Sequence, residues 1–199
     1  MSKNVMVVGT GTIGEPLIGL LAEHKDALGL DNVLFFKRTP LSDEKGKVEA
    51  LLRKGANIVS TSDSLSDFKQ LGFANIADVE NAYEDVDVII DCTPSGNENW
   101  LSIYSSLDQS KRFMAQGSEH GFGPFFAWGI NNDILENESN KYLIASCNTH
   151  NIASIVKTFA LDQSRELAEG QFVCLRRAND VSQNAVSYTH LRAHETTLD

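Results

Sequence analysis

Asn4–Gly14, NVMVVGTGTIG, decides how the rest of the chain is read. A short apolar, β-branched run ends at Gly9 and has the character of a buried strand. Gly9, Gly11 and Gly14 then fit G-x-G-x-x-G. Thr12–His24 carries apolar residues at Ile13, Leu17, Ile18, Leu20 and Leu21, a helical spacing. Pro16 falls in the first turn of that helix, where a missing N–H costs little. Strand, glycine turn and helix in this order are the arrangement that cradles a dinucleotide pyrophosphate. The first glycine permits the tight turn, the second lets pyrophosphate approach the backbone, and the third lets helix and strand pack closely. Free N–H groups and the helix dipole favour the phosphate charge. The alternative is a turn whose glycines serve packing alone.

Outward from this unit, further strands are predicted at Asn32–Lys37, Ala56–Ser60, Val86–Cys92, Arg112–Gln116 and Tyr142–Ser146, with a new one beginning over Gln171–Arg176. Helical segments are predicted at Glu44–Lys54, opening over Asp78–Tyr83, and at Trp100–Leu107, Asp133–Asn137 and Asn148–Leu161, with Ser64–Leu71 a helical or loop segment. Such alternation implies right-handed crossovers and an α/β fold: a Rossmann-type, doubly wound, mainly parallel sheet. The sheet domain is expected over residues 1–146.

The chain has 199 residues, with 17 Lys and Arg against 27 Asp and Glu, a formal net charge of -10. Hydrophobic residues make up 42%, enough to build a core, so wholesale disorder is excluded. The acidic balance argues against a nucleic-acid binder and against a polybasic membrane-surface protein. No apolar run reaches the length of a bilayer span, and the first residues lack the pattern of a signal peptide. Cys92, Cys147 and Cys174 are too few and too widely spaced for a disulfide framework or a metal knuckle. A cytoplasmic protein with reduced thiols, and no metal site, is the expectation.

Three places carry further chemistry. The second strand runs into Lys37 and Arg38, then Thr39, where an acid would mark a free ribose 2′-hydroxyl. Two cations and a hydroxyl suit a 2′-phosphate, so NADP, or use of both NADP and NAD, is favoured over NAD alone. The competing reading is a solvated basic strand end. Cys147, in Ser146-Cys147-Asn148-Thr149-His150, follows an apolar strand and precedes a helix. Helix N-termini favour thiolates, which makes such a cysteine a competent nucleophile; a strand-end cysteine is otherwise a buried, inert one. Arg176 and Arg177 close the last apolar run, where paired arginines either clamp a phosphate or form salt bridges.

GTGTIG, DCTPSG (Asp91–Gly96), MAQGSEH, SCNT and LRRAND occur in a set order. That order resembles the archaeal-type (type II) glyceraldehyde-3-phosphate dehydrogenases, over essentially all of Asn4–Gln183. The resemblance implies a Rossmann domain, an α+β catalytic domain beginning at the cysteine (residues 147–185 here), and a homotetramer when full length. It implies oxidation of glyceraldehyde 3-phosphate with phosphate to 1,3-bisphosphoglycerate, with NADP or NAD as cofactor, in glycolysis or gluconeogenesis. Cys147 would be the catalytic nucleophile, and Ser146, Asn148, Thr149 and Arg176 would bind substrate. The cofactor would meet Gly9, Gly11, Gly14, Thr12, Ile13, Lys37, Arg38, Thr93, Pro94, Gly117 and Arg177. His150 and Asn151 stand where the family has a small residue and glycine, and Ser118 where it commonly has glycine. The family's catalytic histidine lies downstream of Arg177 and has no counterpart here. Two alternatives are retained: an aspartate-semialdehyde or N-acetylglutamyl-phosphate reductase-like enzyme, and a non-catalytic dinucleotide-binding module.

Val186–Asp199 has no apolar period, and VSYTHLRAHET back-translates into a common transposase sequencing adapter. These residues are therefore expected to be non-native, and the spacing of His190 and His194 is not taken as a metal site. An inactive fragment of a longer enzyme is the corresponding expectation.

Overall fold

The computed structural model describes residues 3–116, 119–161 and 167–173. Its strands are β1 (Asn4–Val8), β2 (Asn32–Phe36), β3 (Asn57–Ser60), β4 (Ala77–Asp78), β5 (Val88–Asp91), β6 (Arg112–Gln116), β7 (Phe125–Phe126) and β8 (Lys141–Ile144). They form one sheet in the order β4-β3-β2-β1-β5-β6-β8-β7. Every pairing is parallel. The expected Rossmann-type α/β fold is therefore present, with the described strands wholly parallel.

A single register line crosses all eight strands: Ala77, Val59, Phe36, Val8, Asp91, Ala115, Leu143 and Phe125. Just beyond it the strands give way to loops on one edge of the sheet. From β1 the chain winds outward through β2 to β4, then crosses to β5 on the other side. The β1–β5 boundary is thus the topological switch point, where such sheets open a crevice for ligand.

Alternation along each strand explains both faces. Val5 and Val7 of β1 point into one core, with Ile18, Val48, Leu51 and Phe68. Met6 and Val8 point into the other, with Val79, Tyr83, Ile89, Tyr104 and Phe113. The first core is covered by α1 (Gly14–Glu23), α2 (Lys45–Arg53) and α3 (Leu65–Gln70), the second by α4 (Val79–Asp85) and α5 (Gly96–Ser102). A parallel sheet needs both faces covered, which is why its strands read as continuous apolar runs.

Some expectations are corrected. The buried stripe of α1 is Gly14, Ile18, Gly19 and Ala22, while Ile13 and Leu20 are exposed. The close approach of Gly14 to the glycine turn sets that phase. The helix expected over Trp100–Leu107 begins earlier, as α5, and ends in a separate 3₁₀ turn, Tyr104–Ser106. The segments expected as helix from Glu44 and from Asp133 begin or lie in 3₁₀ turns, Ser42–Glu44 and Asn132–Glu136. Gln171–Val173, the described part of the last expected strand, is irregular. Gly117, Ser118, Cys174, Arg176, Arg177 and the 186–199 tail lie outside the described residues.

The chain divides into two compact units, one through Cys147 and one from Asn148 onward. Helix α6 (Cys147–Phe159) starts at the cysteine itself. Among the described residues, no helix is long and apolar enough to cross a membrane.

Candidate functional site

The three glycines of the turn have three different physical roles. Gly9 sits at φ +97°, a left-handed conformation that side chains disfavour. A Cβ on Gly14 would lie 1.9 Å from the Gly9 carbonyl oxygen. A Cβ on Gly11 would meet nothing within 4 Å, so this glycine faces open space. Gly11, Thr12 and Ile13 are all exposed. No side chain caps α1, which leaves the N–H groups of its first turn without a side-chain acceptor. Gly9 and Gly14 therefore hold the turn's shape, and Gly11 leaves the approach to the backbone clear for a phosphate.

Beside the turn, at the switch point, lies a cleft of about 510 Å³. Gly9 and Thr10 from the end of β1 line it, with Thr93 and Ser95 from the loop after β5. Its far wall is the end of β2, Lys37, Arg38 and Thr39, faced by Glu44 and Tyr83. The cleft thus brings together Gly9, Lys37, Arg38 and Thr93 of the sequence-based set. Pro94 is exposed and is not among its lining residues. Thr10, Ser95, Glu44 and Tyr83 were not expected there.

Lys37 directly follows β2. Its side chain is 7% exposed, and its ammonium is ion-paired with Glu44. The Lys37 hydrogen bond holds the Glu44 carboxyl below its ordinary pKa. Lys47 lies 3.3 Å from Glu44 and 3.3 Å from Glu15, extending the network to α1. The neighbouring Arg38 is exposed and forms no ion pair among the described residues. Tyr83 is 3% exposed, and its hydroxyl makes no hydrogen bond to protein among the described residues. Burial, with the Glu80 and Asp91 charges, pushes that hydroxyl up to about 12, so it remains a hydrogen-bond donor at neutral pH.

Asp91 organises the loop between β5 and α5. It is fully buried. Its carboxyl accepts from the Thr93 N–H at 2.8 Å, the Thr93 hydroxyl at 2.6 Å, Asn99 Nδ2 at 2.7 Å and the Tyr104 hydroxyl at 2.8 Å. Burial pushes the Tyr104 hydroxyl far up, so it stays a donor. These bonds fix Thr93 beside Gly9, where its methyl would lie 3.1 Å from a Gly9 Cβ. Glu119, also buried, accepts from the Asn97 N–H at 2.7 Å and ties MAQGSEH to the start of α5. Asp91→Ala removes the acceptor shared by four donors, one of them the buried Tyr104 hydroxyl. It is expected to cost about 3 kcal/mol, read from a denaturant melt. An unchanged midpoint would mean that the donors find other acceptors.

Cys147 is exposed, three residues beyond the end of β8. Strand β8 is separated from β1 by β5 and β6, three strand spacings or roughly 14 Å. The cysteine and the glycine turn therefore lie toward the same edge of the parallel sheet. Ser146 is half-buried before it; Asn148, Thr149 and His150 follow in the first turn of α6. Cys92 is different. Burial, with the Asp91 charge, pushes its thiol up to about 12, which keeps it protonated and unreactive.

No family model matches the chain. Among curated proteins it is 29% identical over 161 residues to a glyceraldehyde-3-phosphate dehydrogenase of Pyrobaculum calidifontis, covering 79% of this chain and 44% of that protein. A protein of the same name from Pyrobaculum arsenaticum is 30% identical over the same shares. One from Methanobrevibacter smithii is 25% identical over 91% of this chain and 52% of its own length. The chain spans about half the length of the curated relatives it matches.

Proposed function

We propose that this chain is the cofactor-binding part of a phosphorylating glyceraldehyde-3-phosphate dehydrogenase of the archaeal (type II) kind, using NADP or NAD. The observation that carries the reading is Cys147, exposed and toward the same sheet edge as an open glycine turn, in a chain similar over most of its length to archaeal enzymes of that name. The residues present fit a dinucleotide: Gly11 leaves the backbone approach open, and the cleft at the switch point continues to the end of β2.

In this reading the N–H groups opening α1 hold the pyrophosphate, and the β2 end with Arg38 meets the adenosine ribose. The bound dinucleotide supplies a hydride acceptor. The Cys147 thiolate adds to the aldehyde carbon of glyceraldehyde 3-phosphate, forming a C–S bond and a hydroxyl on that carbon. Loss of hydride from that carbon, with the hydroxyl proton passing to a base, leaves a thioester on Cys147. An oxygen of inorganic phosphate then attacks the thioester carbon, the C–S bond breaks, and the thiolate is restored as the acyl phosphate departs. Ser146, Asn148 and Thr149 flank the nucleophile in sequence and are assigned to orienting the substrate. Gly117 is assigned to the nicotinamide, Arg176 to substrate and Arg177 to cofactor, by resemblance.

By the resemblance, the base is assigned to a histidine beyond Arg177. By itself the chain is proposed to bind dinucleotide and not to turn over. Exposed apolar side chains such as Leu101 are consistent with a covered surface in a larger assembly, proposed as a homotetramer.

The test uses a protein extended over the full length of the curated relatives. It is mixed with glyceraldehyde 3-phosphate and NADP or NAD, with and without phosphate. Nicotinamide reduction that requires phosphate is the expected result. Dinucleotide binding without reduction would instead point to a semialdehyde or acyl-phosphate reductase. Absence of dinucleotide binding would overturn the reading altogether.

A further inference from the structure

The end of β2 presents two cations to the cleft, Lys37 and Arg38, yet they are not equivalent. Lys37 is buried and held by Glu44, seven residues further along and itself a lining residue of the cleft. Glu44 is also held by Lys47 at 3.3 Å, and Lys47 by Glu15 at 3.3 Å. Two acids and two bases thus form an open chain of ion pairs, neutral as a set, that runs from the end of β2 through α2 to α1. Arg38 stands outside it, exposed. Tyr83, also a lining residue, adds a neutral hydroxyl donor. A ribose 2′-hydroxyl and a ribose 2′-phosphate would meet quite different sites here, depending on whether the Lys37 ammonium is committed or available.

We propose that Glu44 sets the cofactor selectivity of the cleft, by holding Lys37 in an ion pair and so removing one of two cations from the 2′-phosphate position. With the pair formed, one guanidinium and one hydroxyl face the 2′ substituent, and the site accepts both NAD and NADP. With the carboxylate removed, Lys37 joins Arg38, and the dianionic phosphate gains a second charge-assisted contact. The 2′-hydroxyl gains nothing comparable and loses a carboxylate acceptor close by. This inference rests on the dinucleotide reading of the cleft and adds the residue that governs which dinucleotide is preferred.

The test is calorimetric titration of the 199-residue chain with NADPH and with NADH, on wild type, Glu44→Gln, Lys37→Gln, Arg38→Gln and the Glu44→Gln/Lys37→Gln pair. Glu44→Gln is expected to raise the NADPH-to-NADH affinity ratio by about tenfold, the scale of one added charge-assisted contact. The paired variant is expected to lose that gain, because the gain needs the lysine. Arg38→Gln alone is expected to lower NADPH affinity by about tenfold, and Lys37→Gln alone by much less. Should Glu44→Gln not fold, as judged by circular dichroism, that last contrast decides the matter. Equal losses for Lys37→Gln and Arg38→Gln, or an unchanged ratio in Glu44→Gln, would overturn the role of Glu44 while leaving dinucleotide binding intact. Failure of wild type to bind either dinucleotide would overturn both.

Discussion

Gly14→Ala is expected to yield little or no folded protein, while Gly11→Ala folds normally. The new Cβ at position 14 would stand 1.9 Å from the Gly9 carbonyl oxygen and 2.9 Å from its carbon. Both are backbone atoms, so no side-chain rotation relieves the overlap, and Cys92 closes the third side at 3.3 Å. Either the turn opens or α1 lifts away from β1, and α1 carries Ile18 and Ala22 into the core. Strain of this kind belongs to the small class of single substitutions that cost upwards of about 4 kcal/mol, comparable with the whole stability of a marginal domain. Soluble yield and a thermal melt followed by circular dichroism are the measurements. Gly11→Ala meets nothing within 4 Å and should melt within a few degrees of wild type. It should still weaken dinucleotide binding, because the methyl fills the side from which the pyrophosphate approaches. A stable Gly14→Ala protein would show that helix and strand are not held so close.

The pair of glycine substitutions marks how far the sequence could be read. G-x-G-x-x-G after an apolar run is a local pattern, and the parallel sheet covered on both faces makes such runs visible. Arg112–Gln116 keeps both of its expected ends for that reason. Elements whose limits are set by distant contacts differ from what the local pattern predicts. Helix α5 begins at Gly96, where a Cβ would stand 3.0 Å from Ala115 and 3.1 Å from Glu119, so packing against these two residues favours glycine there. Neither is near in sequence, and no side-chain cap announces the start. Strands β4 and β7 have two residues each, too short to show a period. Lys37 and Arg38 look alike in sequence; only folding brings Glu44 onto one of them. Asp91 belongs to a recognisable motif, but its partners Asn99 and Tyr104 lie eight and thirteen residues on.

On the proposed function, Cys147→Ser in a protein extended over the length of the curated relatives is expected to lower phosphate-dependent reduction by at least about a thousandfold, while leaving dinucleotide affinity unchanged. A thiol at neutral pH offers some thiolate and high intrinsic nucleophilicity. A serine hydroxyl offers neither unless a base is built beside it. A thousandfold is about 4 kcal/mol of lost transition-state stabilisation. Stability should hardly move, because the side chain is exposed and the exchange of sulfur for oxygen is small. Binding should hold because the cleft is lined by the ends of β1 and β2 and the loop after β5, not by Cys147. That separation gives the substitution its force: a merely structural cysteine would alter the melt or the affinity, and a nucleophile alters turnover alone. Residual reduction of more than a tenth of wild type would remove Cys147 from the chemistry. The two other cysteines do not offer an obvious substitute, since Cys92 is buried with its thiol pushed up to about 12 and Cys174 sits within an apolar run. A surviving rate would therefore mean hydride transfer without a covalent intermediate, and an oxidation whose product is not an acyl phosphate.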